Sequence, residues 1–269
     1  MTEPLKDSAV SAASGAEILV VLPTLGDRPE YLAETLASID AQRRDVALRL
    51  VLVLPKTADA ARELGESHGA TLVEDPGLGI SHAINLGIGA AAGEIFYAWI
   101  GDDDLFRPGG LATLREIARP RDVVLAFGGC DYISPSGDLL WVSRSGQLAP
   151  LLLRWGPNLI PHPGSLIRLH AMQEVGLFDE TLKYAMDLDL LLKIRRLGRF
   201  RSTRHSVSAF RWHLGSLTVA NRSSSSAESE AVKRRHLPRA LRPAAPLWEG
   251  PVRLASARAA RKMARRAGA

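Results

Sequence analysis

Three consecutive carboxylates, Asp102-Asp103-Asp104, follow directly on Gly101 and the apolar run Ile95-Phe96-Tyr97-Ala98-Trp99-Ile100. Like charges this close repel, and a divalent cation, whose hard character selects oxygen ligands, relieves that repulsion most simply. Such a cation serves reactions in which negative charge develops on an oxygen. A solvated acidic turn is the alternative reading of the same residues. Upstream, Gly77-Leu78-Gly79 precedes a small-residue segment, and a Gly-rich loop at a helix start can bring backbone N–H groups up to phosphate. This loop fits neither the P-loop nor the dinucleotide fingerprint, and close helix packing would equally ask for glycines. Cys130, the single cysteine, reads as a small buried hydrophobe rather than a nucleophile.

The elements that must hold these groups alternate in type. Residues 18–23 (ILVVLP) and 48–54 (LRLVLVL) are continuous apolar runs, hence strands buried on both faces, and 71–74 is a shorter third strand. Helical patterns at 30–39, with Pro29 at the first turn, at 57–68 and at 83–92 connect them to the strand at 95–100. This βαβ series predicts an α/β fold with a mostly parallel central sheet flanked by helices. The acidic triple then falls at the carboxyl end of a strand, where open sheets form their ligand crevice. Further on, a helix over 111–118, a strand over 122–127 and a hairpin turn at Ser134-Pro135-Ser136-Gly137-Asp138 are expected. A short helix or lid over 148–155 follows, then a segment broken by Pro157, Pro161, Pro163 and Gly164, a helix over 184–197 and a last strand over 207–212.

With 269 residues and 46% hydrophobic content the chain can bury one sizeable core, and a single domain over 17–220 is expected. Residues 1–16 have no apolar segment and read as disordered, neither signal peptide nor membrane span. No run of about 18 apolar residues suits a bilayer crossing. One cysteine excludes an intrachain disulfide and suits a reducing, cytoplasmic compartment. From Glu230 to Ala269 there are eleven Lys/Arg against two Glu, so the +5 of the whole chain conceals a net acidic body. Residues 221–269 are expected to be a flexible linker, at 221–226, and a basic tail. On a helix, Arg258, Arg261, Lys262, Arg265 and Arg266 would form one basic stripe, suited to an anionic membrane surface or simply to solvent. The tail lacks interleaved aromatics apart from Trp248, and the body is acidic, so nucleic acid is not an expected partner.

Taken in order, several segments resemble a family-2 glycosyltransferase of the GT-A fold. They are Pro23-Thr24 with Arg28-Pro29-Glu30-Tyr31-Leu32, Gly79-Ile80-Ser81-His82-Ala83-Ile84-Asn85-Leu86-Gly87-Ile88, Gly93-Glu94, Asp102 to Asp104 with Pro108-Gly109, Gly176-Leu177-Phe178-Asp179-Glu180, and Asp187-Leu188-Asp189. The resemblance implies inverting transfer of a sugar from a nucleotide-sugar donor, a UDP- or dTDP-sugar, to an acceptor hydroxyl on a glycan or a lipid-linked acceptor, in cell-envelope polysaccharide or glycolipid synthesis. It implies Mn²⁺ or Mg²⁺ held by Asp103 and Asp104, donor contacts from Pro23, Thr24, Arg28, Asn85, Asp102 and Asp103, and Asp187 as the catalytic base. His162 aligns with a family histidine and suits either an active-site role or loop packing. His213 stands where it could reach the metal or diphosphate, while Trp155 and Trp212 could stack on a sugar or pack in the core. Gly101, Met186 and Leu54-Pro55-Lys56-Thr57 depart from the family pattern, the last replacing an acidic loop that holds the nucleobase. These departures keep a second reading open: a catalytically impaired nucleotide-sugar-binding protein, peripheral at the cytoplasmic membrane face or free in the cytoplasm.

Overall fold

The computed structural model describes residues 15–143, 146–213 and 222–266. The disorder expected of residues 1–16 therefore lies, apart from 15 and 16, outside the described residues. Strands β1 (Ile18–Pro23), β2 (Leu48–Leu54), β3 (Thr71–Glu74) and β4 (Phe96–Trp99) pair in parallel in the order β3-β2-β1-β4. Helices α1 (Pro29–Gln42), α2 (Asp59–Ser67) and α3 (Ile80–Gly89) make the connections. In β1, Ile18, Val20 and Leu22 enter the core layer beneath α1, whereas Leu19 and Val21 enter the opposite layer beneath α3. Burial on both faces is why the run is apolar without alternation. Gly87 of α3 lets the helix sit directly on this strand, since a Cβ there would lie 2.4 Å from Val21 Cγ1.

Beyond β4 the sheet becomes mixed. It continues through β8 (Ser165–Arg168), antiparallel to β4, then β6 (Val123–Ile133), β9 (Arg199–Arg211) and the short edge strand β5 (Leu105–Phe106). β7 (Leu139–Ser143) pairs with β6 across the expected hairpin turn, where Gly137 takes φ +90°. Helices α4 (Gly110–Ala118), α5 (Ala149–Leu152), α6 (Leu169–Glu174) and α7 (Met186–Ile194) cover the faces. The segment expected as a linker is helical from Arg222 onward: α8 (Arg222–His236) packs with Val232 fully buried in the same core layer as α7. A final helix, α9 (Pro246–Arg266), holds Arg258 and Arg261 of the expected basic stripe, both exposed. Among the described residues no helix is long and apolar enough to cross a membrane.

Candidate active site

A cleft of about 1180 Å³ opens at the carboxyl ends of β1 and β4, lined by Pro23, Thr24, Arg28, Asp102 and Asp103 together with Asn158, His162 and Asp187. β1 ends at Pro23, and the next residue turns into the cleft, where the Thr24 hydroxyl donates to Asp102 Oδ2 over 2.6 Å. Arg28, one residue ahead of α1, reaches across: Nη2 donates to Asp102 Oδ1 at 2.7 Å and Nη1 to Asp103 Oδ2 at 2.5 Å. Burial alone would lower the guanidinium pKa, but the two carboxylates hold it raised. Asp102 is itself pushed up by burial, partly offset by Thr24 and Arg28. His213 Nε2 lies 2.7 Å from Asp103 Oδ2 and 3.2 Å from Arg28 Nη1.

Asp104 lines the cleft too but is more deeply held. It is 1% exposed, and Oδ1 accepts the Arg211 backbone N–H at 3.0 Å while its carbonyl accepts the Thr35 hydroxyl at 2.8 Å. Burial and the neighbouring charge of Asp103 push its carboxyl well above the carboxylate range. Asp103 and Asp104, expected as metal ligands, both line the cleft, and Asp104 in addition braces β9 against the acidic turn. Arg211, fully buried, completes the brace by donating from Nε to the Asp103 carbonyl at 3.0 Å and stacking 4.4 Å from the Tyr31 ring centroid. Asn85, expected at the donor, is placed elsewhere: its amide donates to the Phe178 carbonyl at 3.0 Å and Glu180 at 2.9 Å and accepts the Phe178 N–H at 3.2 Å. It pins a loop. Gly77 and Gly79 line the cleft at φ +81° and +108°, with open space around both, so their reason is backbone conformation rather than packing. Lys56 of the altered loop is exposed.

In the same cleft, Asp187 sits in the first turn of α7. Asn158 Nδ2 donates to its Oδ2 at 2.9 Å and the Leu188 N–H to its Oδ1 at 2.7 Å. Burial raises its pKa to about 6 despite both bonds, and the charge of Glu228 on α8 adds to the rise. A carboxylate so poised is ionised at neutral pH and still basic enough to take a hydroxyl proton. His162 stacks on Trp99 with ring centroids 4.3 Å apart, and burial lowers its pKa to about 3. It is a neutral wall of the cleft. Trp155 lines the cleft too, edge-on to Trp248 of α9 at 4.9 Å, and Trp212 lines it beside Tyr132. Cys130 is buried with its thiol pushed up to about 12, as a packing residue should be. Sequence reasoning missed Arg211, Asn158 and Glu228, and also the wall that α8 and α9 supply through Ser229, Lys233, Val252 and Ser256. Nothing in the polar stretch after residue 221 marked it as part of a site.

A family model described as glycosyl transferase family 2 matches residues 19–174. Among curated proteins, an uncharacterized glycosyltransferase of Rickettsia typhi is 26% identical over 196 residues, 67% of this chain and 59% of its own length. A second, of Rickettsia felis, is 24% identical over 222 residues, 76% of this chain and 36% of its own. The chain thus spans well under two thirds of these relatives. The mannosyltransferase PcManGT of Pyrobaculum calidifontis, solved with GDP-Man and Mn²⁺, shares the fold at TM-score 0.67 and 21% identity, covering 98% of this chain and 80% of its own. S. aureus TarS 1-349, solved with UDP-GlcNAc, does so at TM-score 0.62 and 15% identity, covering 84% and 69%. Because the family match spans more than half of the sequence, this chain belongs to glycosyl transferase family 2.

Proposed function

We propose that the protein transfers a sugar, with inversion, from a nucleoside diphosphate sugar to an acceptor hydroxyl. One observation carries the reading: the Arg28–Asp103 cluster and the partly buried Asp187 line a single cleft. That arrangement puts a charge-stabilising group and a base in one cleft. Asp187, oriented by Asn158, takes the acceptor's proton. Arg28 supplies fixed positive charge toward the departing diphosphate.

The residues also fit a divalent cation. Among the described residues no three His, Cys, Asp or Glu side chains converge as a metal site. Asp103, with His213 beside it, instead offers one or two protein ligands, and cations of the Mg²⁺ type take such sites with substrate phosphates completing the shell. Bound there, Mn²⁺ or Mg²⁺ would supply charge to stabilise the leaving diphosphate. Likeness to a protein that binds UDP-GlcNAc supports a UDP- or dTDP-sugar, and likeness to one that binds GDP-Man names the competing donor.

The acceptor, a glycan or a lipid-linked acceptor of the cell envelope, enters the same cleft, which Trp155 and the C-terminal helices help to line. Exposed Leu247 and Leu254 on α9, together with exposed Arg258 and Arg261, support a peripheral seat on an anionic membrane at the cytoplasmic face. A panel of UDP-, dTDP- and GDP-sugars with Mn²⁺ tests the function. One donor should raise the melting temperature and release its nucleotide; stabilisation without release would favour the impaired binding protein, and neither effect with any donor would overturn both readings.

A further inference from the structure

Building on the reading of Asp187 as base, we infer that Glu228 is a positioning residue: from α8, its carboxylate fixes the turn that delivers Asp187 to the cleft. Its Oε1 accepts three successive backbone N–H groups, those of Lys183 at 3.1 Å, Tyr184 at 2.6 Å and Ala185 at 2.7 Å, and Oε2 accepts Lys183 again at 3.2 Å. Met186 then starts α7, and Asp187 follows. Ala185, at the cap position, has no side-chain group to bond these donors, so a remote carboxylate does it with charge-assisted bonds at the positive end of the helix.

The helix bearing Glu228 is itself anchored. Val232 is fully buried beside α7, His236 Nε2 lies 2.7 Å from Asp189 Oδ1, and Arg235 pairs with Asp179 at 2.9 Å. One more bond reaches the other partner of the base: Lys233 Nζ donates to the Gly156 carbonyl at 2.6 Å, two residues ahead of Asn158. α8 therefore ties down both the turn that presents Asp187 and the loop that orients it. Apart from Gly156 and Asn158, the residues making these contacts lie past residue 174, where the family match ends.

Glu228 has an electrostatic effect as well. The groups facing Asp187 from the elements packed around it are Asn158 and His162 of the loop before β8 and Glu228 of α8. His162 is neutral, the Lys233 ammonium is spent on Gly156, and the Lys183 ammonium lies over the Tyr184 ring at 5.7 Å. Glu228 thus brings negative charge toward the base.

The test compares Glu228→Gln, Glu228→Asp and Glu228→Ala with Asp187→Asn and the Asp187→Asn/Glu228→Ala double variant. Nucleotide release from UDP-glucose, UDP-GlcNAc and GDP-mannose with Mn²⁺ is followed across pH, alongside donor affinity and ¹³C titration of the Asp187 carboxyl. Glu228→Gln keeps an accepting oxygen but no charge, so it should retain most of the turnover and shift the Asp187 titration and the acid limb of the rate profile to lower pH. Glu228→Asp keeps charge but falls one methylene short, and with Glu228→Ala should lower kcat by about tenfold or more at unchanged donor affinity. In the Asp187→Asn background Glu228→Ala should cost nothing further. Wild-type kcat in both Glu228→Asp and Glu228→Ala, or additive losses in the double variant, overturns the positioning role while the base stands. Full turnover in Asp187→Asn overturns the base itself. Should Glu228→Ala fail to fold, an Asp187 titration and pH profile unchanged in Glu228→Gln, with full turnover in Glu228→Asp, overturns the inference.

Discussion

Asp187 sets the pH response of the site. Burial raises its pKa to about 6, so kcat/KM should fall on the acid side with an apparent pKa near 6, and the limb should vanish in Asp187→Asn, whose turnover drops about 10²–10⁴-fold at unchanged donor affinity. Folding raises this pKa above the ordinary carboxylate value, so the protonated group stabilises the fold fully below pH 3.8 and that contribution is lost as pH rises through 6. Asp103 and Asp104 should separate cleanly. Asp103→Ala should abolish Mn²⁺-dependent donor stabilisation in a thermal-shift assay and leave the fold intact. Asp104→Ala should instead lower stability by about 1–3 kcal/mol in urea unfolding, because the buried Arg211 N–H loses its acceptor. The acidic turn was legible because charge set against an apolar run demands a reason. How each carboxylate is held was not, since that is decided by Thr24, Arg28 and Arg211, whose bonds span 74 to 108 positions. Asn85 was misjudged likewise: its partners lie 93 and 95 positions away.

At the scale of elements, legibility follows burial. β1, β2 and β4 were readable because strands covered on both faces are apolar throughout. β8 and α6 were hidden behind the prolines at 157, 161 and 163, and their pairing antiparallel to β4 has no local signature. α8 was taken for a linker because Ser223-Ser224-Ser225-Ser226 offers little helix preference; its order comes from contacts with α7 rather than from its own sequence. The contact of α3 with the sheet yields a separate expectation. Gly87→Ala forces a methyl to within 2.4 Å of Val21 Cγ1, and overpacking of this kind should cost about 1–3 kcal/mol by denaturant unfolding.

The whole molecule pairs an acidic body with a basic C-terminal arm that also lines the cleft. If α9 seats on anionic lipid, the full chain should float with phosphatidylglycerol vesicles at low salt and release near 0.5 M salt, whereas Arg258→Glu/Arg261→Glu/Lys262→Glu should not float. Equal flotation by both, or none by the parent, would remove the membrane role. Charge reversal is a cleaner test than truncation, because cutting before α8 would strip Val232 from the core. The cleft's ion network joins Arg28 to Asp102, Asp103 and His213 across as many as 185 positions, so donor recognition is complete only when nearly the whole chain is in place. In a chain made at about 5–20 residues per second, His213 follows Arg28 by 185 positions, roughly 9–37 s later. Until then the acidic turn lacks both its brace from Arg211 and its imidazole neighbour. On the proposed function, nucleotide sugar would therefore find no foothold on a growing polypeptide until the end of β9 has been made.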